Sequence, residues 1–137
     1  MDEGKKELVR NWLLKAQHDN ASAKKLSEGD NPYLDTAIYH CQQAAEKAIK
    51  GFLVFHDQRF EKTHDLQVLI SIATLAEPSF SALLDGGELL TPYATWYRYP
   101  GEILEPEIDE FNEAIKASES IYTFVIKKLP EEVHPNT

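Results

Sequence analysis

Arg59 and His64 stand five positions apart in the stretch Arg59-Phe60-Glu61-Lys62-Thr63-His64. A histidine can move a proton and an arginine can hold a scissile phosphate, so this pair has the parts for metal-free RNA cleavage. Spacing alone is a thin match, because one Arg and one His recur by chance. His64 serves equally well in the first turn of a helix, bonded to a loop carbonyl. A second set, His40, Gln43, Lys47 and Lys50, is spaced three or four apart and falls on one helical face. That row can offer donors to a phosphate or nucleotide; Glu46 can also pair with Lys50 at i,i+4, as ordinary helix surfaces do.

The third set is Tyr93-Ala94-Thr95-Trp96-Tyr97-Arg98-Tyr99-Pro100, with four aromatics around one of only three arginines. Clusters of this kind suit interfaces and stacking on bases. They suit a core edge as well, with tyrosine rings inside and hydroxyls in water.

Other chemistries find less support. The histidines are scattered and form no HExxH or tight ligand pair, so no metal site is expected. Glu132 and His134 read as a solvated end. Glu102, Glu105, Glu107, Asp109, Glu110 and Glu113 crowd together without an intervening base, as a solvated acidic face or the start of a helix does, with a partner-docking surface as the alternative. Nothing around them raises a carboxyl pKa for acid catalysis. The sequence holds no GxxxxGK[ST] and no GxGxxG, Gly86-Gly87 reads as a flexible break, and no cofactor is expected. Cys41, the single cysteine, excludes an internal disulfide; it lies on an apolar helix face and reads as buried filler.

These groups need a scaffold, and the chain has enough residues for one. Its 137 residues fit one domain with a real core, at 42% hydrophobic and 27% charged residues. A net charge of −9 offers no overall positive footprint for a nucleic-acid backbone. Nucleic acid is therefore not expected as a stand-alone target. No secretory leader or membrane span is expected, and a cytoplasmic location follows.

Helical periodicity dominates. A first helix is predicted over Lys5 to Ser27, with Leu8, Trp12, Ala16, Ala23 and Leu26 in one stripe, widened by Val9 and Leu13. Gly29 suits a left-handed C-cap, Asn31 a cap and Pro32 the first turn of a second helix reaching His56. That helix carries Leu34, Ala37, Ile38, Cys41, Ala45, Ala48, Ile49 and Phe52, whose alanines allow a partner helix to approach closely. Thr63 is the expected N-cap of a third helix, interrupted by Pro78. Two shorter segments follow, Ser79 to Leu84 and Glu88 to Tyr97. A last helix is predicted from Pro106 to Leu129, with Glu105 and Glu107 at its start and Lys127 and Lys128 at its end complementing its dipole. Residues 1–137 read as a single domain with a core over about 5–129 and a frayed tail over 130–137. The expected fold is all-α: an up-and-down antiparallel bundle of three long helices plus shorter ones.

Three elements in this order, from His40-Cys41-Gln42-Gln43-Ala44-Ala45-Glu46-Lys47-Ala48-Ile49-Lys50-Gly51 through His64-Asp65-Leu66 to Arg98-Tyr99-Pro100, resemble the HEPN family over about Leu8 to Leu129. The resemblance implies a helical bundle, often a homodimer, commonly encoded beside a minimal nucleotidyltransferase with which it forms a two-component system. The bundle is also similar to the helical domain of kanamycin nucleotidyltransferase, which implies nucleotide or substrate binding. Other family members are metal-independent ribonucleases, using an Arg followed after four to six residues by a His at the start of the last major helix. The arginine of that motif falls on Arg98, but Ile103, Leu104 and Glu105 stand where the histidine belongs. Arg59 and His64 have the spacing but lie where the family carries its His-Asp-Leu element.

The leading expectation is a non-catalytic, dimeric protein that binds a nucleotide or substrate and works with a separate nucleotidyltransferase. Arg98 would clamp phosphate, Tyr97 or Tyr99 would flank a base or the dimer partner, and His40, Gln43, Lys47 and Lys50 would supply donors and positive field. The alternatives are a ribonuclease toxin using Arg59 and His64 or a site assembled across the dimer, and an adaptor or antitoxin-like component whose aromatic cluster is only an interface.

Overall fold

The helix from Leu34 to Phe55, α2, is the centre of the structure, because apolar side chains occupy more than one of its faces. The helix from Glu3 to Ser27, α1, lies along it. The computed structural model describes residues 2–101 and 104–136, and among them every regular element is helical. The helix α3 spans Leu66–Ala76, α4 spans Leu84–Leu90 and α5 spans Ile108–Lys127. Short 3-10 segments occupy Pro78–Leu83, Thr91–Ala94 and Glu131–Val133. The expected all-α bundle is therefore the fold.

A short connection between α1 and α2 forces them antiparallel. Tyr33 N–H donates to the Leu26 carbonyl at 2.8 Å at the closed end, and Trp12 meets Gly51 towards the open one. Gly29 sits at φ 87°, the left-handed conformation its lack of a Cβ permits. Ala37, Ala45 and Ala48 are fully buried, which brings the neighbouring backbones close. On α1 the core is made by Val9, Leu13, Ala16 and Ala23, while Leu8 is 48% exposed. The centre of the stripe thus lies one position from where Leu8 and Trp12 placed it. Beyond α2 the core continues through Phe52, Phe80 and Phe124, with ring centroids 4.2 Å and 5.1 Å apart in succession.

Several boundaries differ from the expectation. Tyr33 is the residue before α2 and makes no side-chain cap, so Asn31 does not cap the helix. Asp65, not Thr63, caps α3, accepting from the backbone N–H groups of Gln67 and Val68, while the Thr63 hydroxyl accepts from Asp65 N–H. Gly86-Gly87 is no break but lies within α4. A Cβ on Gly87 would stand 2.6 Å from Ile70 Cδ1, so the glycine is what lets α4 press onto α3. The tail is ordered by packing: Val133 is fully buried, and the Ile126 and Leu129 carbonyls lie 2.8 Å and 2.9 Å from His134 Nε2 as acceptors. Arg10 also donates to the Glu132 carbonyl at 2.8 Å. His134 is accordingly a helix-end partner rather than a solvated group, and 130–136 is not frayed.

Candidate functional site

Asp19, nearly buried on α1, faces α2 and joins two of the predicted donors. His40 Nδ1 lies 2.8 Å from Asp19 Oδ1, and Lys47 Nζ donates to Asp19 Oδ2 at 2.7 Å. Burial acts to raise the Asp19 pKa, but the hydrogen bonds from His40 and Lys47 outweigh it and the carboxyl titrates below its ordinary value. An ionised carboxylate only accepts, so the Nδ1 proton of His40 faces Asp19 and Nε2 is the ring nitrogen left for another partner. Asn20 beside it is also buried and accepts from the Ser118 hydroxyl at 2.7 Å, tying α1 to α5.

Tyr39 precedes His40 and meets its ring edge-on at 5.8 Å. Arg98 reaches back from the segment before α5 and lays its guanidinium 3.6 Å from the Tyr39 ring centroid. Arg98 is exposed, and among the described residues no carboxylate lies within ion-pair distance of it. Arg98, Tyr39, His40, Asp19 and Lys47 therefore form one contiguous shelf across α1 and α2.

The remaining members of the predicted row turn elsewhere. Lys50 is only 7% exposed and donates to Glu46 Oε2 at 2.9 Å, between the rings of Trp12 and Phe60. The Glu46–Lys50 pair is thus a buried one, not a surface pair. Gln43 is buried and donates to Gln42 Oε1 at 2.7 Å, and Gln42 in turn donates to Glu46 and to the His64 carbonyl. His64 Nδ1 lies 2.7 Å from Glu46 Oε1. Burial raises the Glu46 pKa, yet the donors Lys50, His64 and Gln42 together bring it below its ordinary value. The row does not present four donors to one ligand: Gln43 and Lys50 belong to a network that fixes the start of α3.

Arg59 is exposed and lines a groove of about 640 Å3 with Phe60, Val68 and Ile72, a lining that does not include His64. His64 instead faces Glu46. Tyr97 and Tyr99 line a different hollow with Trp96, and Arg98 is not part of its wall. Tyr97 donates its hydroxyl to Glu110 at 2.9 Å, and Tyr93 does so at 2.6 Å. Tyr93 and Tyr97 stack at 6.2 Å. Burial first, and Glu110 second, push both phenol pKa values up, so both remain neutral donors. Cys41 is fully buried, and burial pushes its thiol up to about 12, which leaves it unreactive. Among the described residues no group of three His, Cys, Asp or Glu side chains converges as a metal would require, and no helix is long and apolar enough to cross a membrane.

Asp19 and Tyr39 were not singled out in the sequence. Asp19 and Asn20 fill the gap between Ala16 and Ala23 in the α1 stripe, and polar residues in an apolar register are the signal that marks them. Tyr39 carries no such mark, since its stack depends on a residue far along the chain.

Comparison with known proteins agrees with this architecture. No curated protein matches the sequence. The crystal structure of TT1696 from Thermus thermophilus is similar at a TM-score of 0.71 and 29% identity, covering 90% of this chain and 99% of that one. The crystal structure of ST0689, an archaeal HEPN homologue, is similar at a TM-score of 0.67 and 25% identity, covering 88% of this chain and 96% of that one. The HEPN domain family model matches residues 9–129, nearly the whole bundle, and the chain belongs to that family.

Proposed function

We propose that this HEPN protein is non-catalytic and binds a nucleotide or another phosphorylated substrate on the shelf formed by Arg98, Tyr39 and His40. It does so as a dimer that works with a separately encoded minimal nucleotidyltransferase. The observation that carries the reading is the 3.6 Å stack of Arg98 on Tyr39. Stacking holds the guanidinium by its face and leaves its edge donors for phosphate oxygens. Beside it, Asp19 fixes His40 so that Nε2 is the nitrogen available to a ligand. Lys47 adds positive field, reduced by its own bond to Asp19. Lys50 and Gln43, engaged in the Glu46 network, support α2 rather than contact the ligand.

The absence of catalysis rests on the sequence after Arg98, where no histidine stands at 103, 104 or 105. The dimer and the nucleotidyltransferase partner rest on the family resemblance. Titration calorimetry of the full chain with ATP is the test. Saturable binding that weakens about tenfold or more in Arg98→Ala, the loss of a charge-assisted hydrogen bond, supports the reading. Unchanged affinity in that variant sinks it.

A further inference from the structure

Trp96, Tyr97 and Tyr99, with Thr95, Gly101 and Leu104, line a hollow of about 540 Å3. That size is typical of small-molecule sites. Trp96 and Tyr99 are 55% and 72% exposed, so a ligand can reach their rings. Trp96 is braced edge-on against Tyr93 at 6.0 Å, and Tyr93 stacks on Tyr97. Two rings of the wall, Trp96 and Tyr97, are therefore joined through Tyr93, and Tyr99 adds a separate exposed ring.

The electrostatics around this wall have one sign. Tyr93 and Tyr97 both donate to Glu110, and a phenol that donates to a carboxylate gains electron density in its ring. The added density strengthens the negative ring face that attracts cations. Glu107 also acts on Tyr97. Among the described residues from Thr91 to Ile115 there are five acids, Glu105, Glu107, Asp109, Glu110 and Glu113, and a single cation, Arg98. That cation is withdrawn from the hollow, because its guanidinium lies on Tyr39. Tyr97 holds φ 67°, an uncommon backbone for a bulky aromatic residue.

We propose that this hollow binds a small organic cation, an ammonium or guanidinium group on an aliphatic body. The charge sits against the faces of Trp96 and Tyr97, with Tyr99 as a third ring, within the field of Glu107 and Glu110, and the aliphatic part lies on Leu104. A phosphorylated ligand is repelled by the same carboxylates. This site uses none of the side chains of the phosphate shelf, so its success or failure is independent of nucleotide binding.

The test is a ligand-observed NMR titration of the full chain with choline and with its neutral isostere 3,3-dimethylbutan-1-ol. Choline is expected to bind saturably and about fivefold or more tightly than the isostere, a difference owed to cation–π attraction. Trp96→Ala should remove choline binding, and Glu107→Gln should weaken it. Both sites are exposed, and circular dichroism confirms that the variants stay folded. Equal binding of the isostere, or no binding of choline or spermidine, overturns the proposal. Binding of a tripeptide with a central lysine, without binding of choline or of spermidine, also overturns it and reassigns the hollow to a partner protein's side chain.

Discussion

The guanidinium of Arg98 rests 3.6 Å from the centre of the Tyr39 ring, joining the segment before α5 to the first half of α2. This stack gives the exposed arginine a defined position without neutralising it. An ion pair with a carboxylate would order the side chain equally well and consume the donors that phosphate needs. Tyr39 also touches His40, which Asp19 holds by its other nitrogen, so cation and imidazole share one surface.

Asp19 links that surface to stability through its charge. Its carboxyl pKa is lower in the folded chain than its ordinary value of 3.8, with burial opposed by the bonds from His40 and Lys47. A carboxylate with a depressed folded pKa stabilises the fold above its unfolded pKa, and that contribution is lost as pH falls through the folded value. Asp19→Asn is expected to lower stability by about 1.5–3 kcal/mol near neutral pH, the worth of hydrogen bonds to a charged group. Urea unfolding of both proteins should show the difference shrinking in acid. A difference that stays constant with pH places the loss in packing instead.

The Glu46–Lys50 pair makes a different prediction because both partners are buried, at 5% and 7% exposure. Glu46→Ala strands the Lys50 ammonium between Trp12 and Phe60 and should destabilise by about 3–5 kcal/mol. Replacing both residues, Glu46→Leu with Lys50→Met, should recover most of that loss, measured by chemical denaturation. If the double variant is as unstable as Glu46→Ala alone, the contacts of Glu46 with Gln42 and His64 carry the stabilisation.

Gly87 is a packing constraint that substitution exposes. A Cβ there meets Ile70 Cδ1 at 2.6 Å, so Gly87→Ala should cost about 1–3 kcal/mol through overpacking. Ile70→Val removes the clashing methyl. In the Gly87→Ala background it should therefore be less harmful than in the wild type, a coupling that a double-mutant cycle on melting temperature detects.

The helices were legible because α1, α2, α3 and α5 repeat apolar residues at helical spacing, a local property of the chain. The run through Gly86-Gly87 was not, since local propensity marks a break and only the close approach of α4 to α3 overrides it. The order of the tail was hidden for a related reason: Val133 is one apolar residue among polar ones, and its burial depends on the packing of its segment against α1. In the candidate site, His40, Lys47 and Arg98 were visible by type and spacing. Their partners were not, because Asp19 and Tyr39 gain meaning only when α1, α2 and the loop before α5 come together. Spacing also grouped Lys50 and Gln43 with His40, although the helix turns them into a buried network.

The most direct measurement is residue-resolved NMR mapping of the isotope-labelled full chain during an ATP titration. Saturable shifts are expected to centre on Arg98, Tyr39, His40 and Lys47, with the resonances of Arg59 and His64 unmoved. Shifts centred on Arg59 and His64, or none at the Arg98–Tyr39 stack at saturating ATP, would contradict nucleotide binding on this shelf.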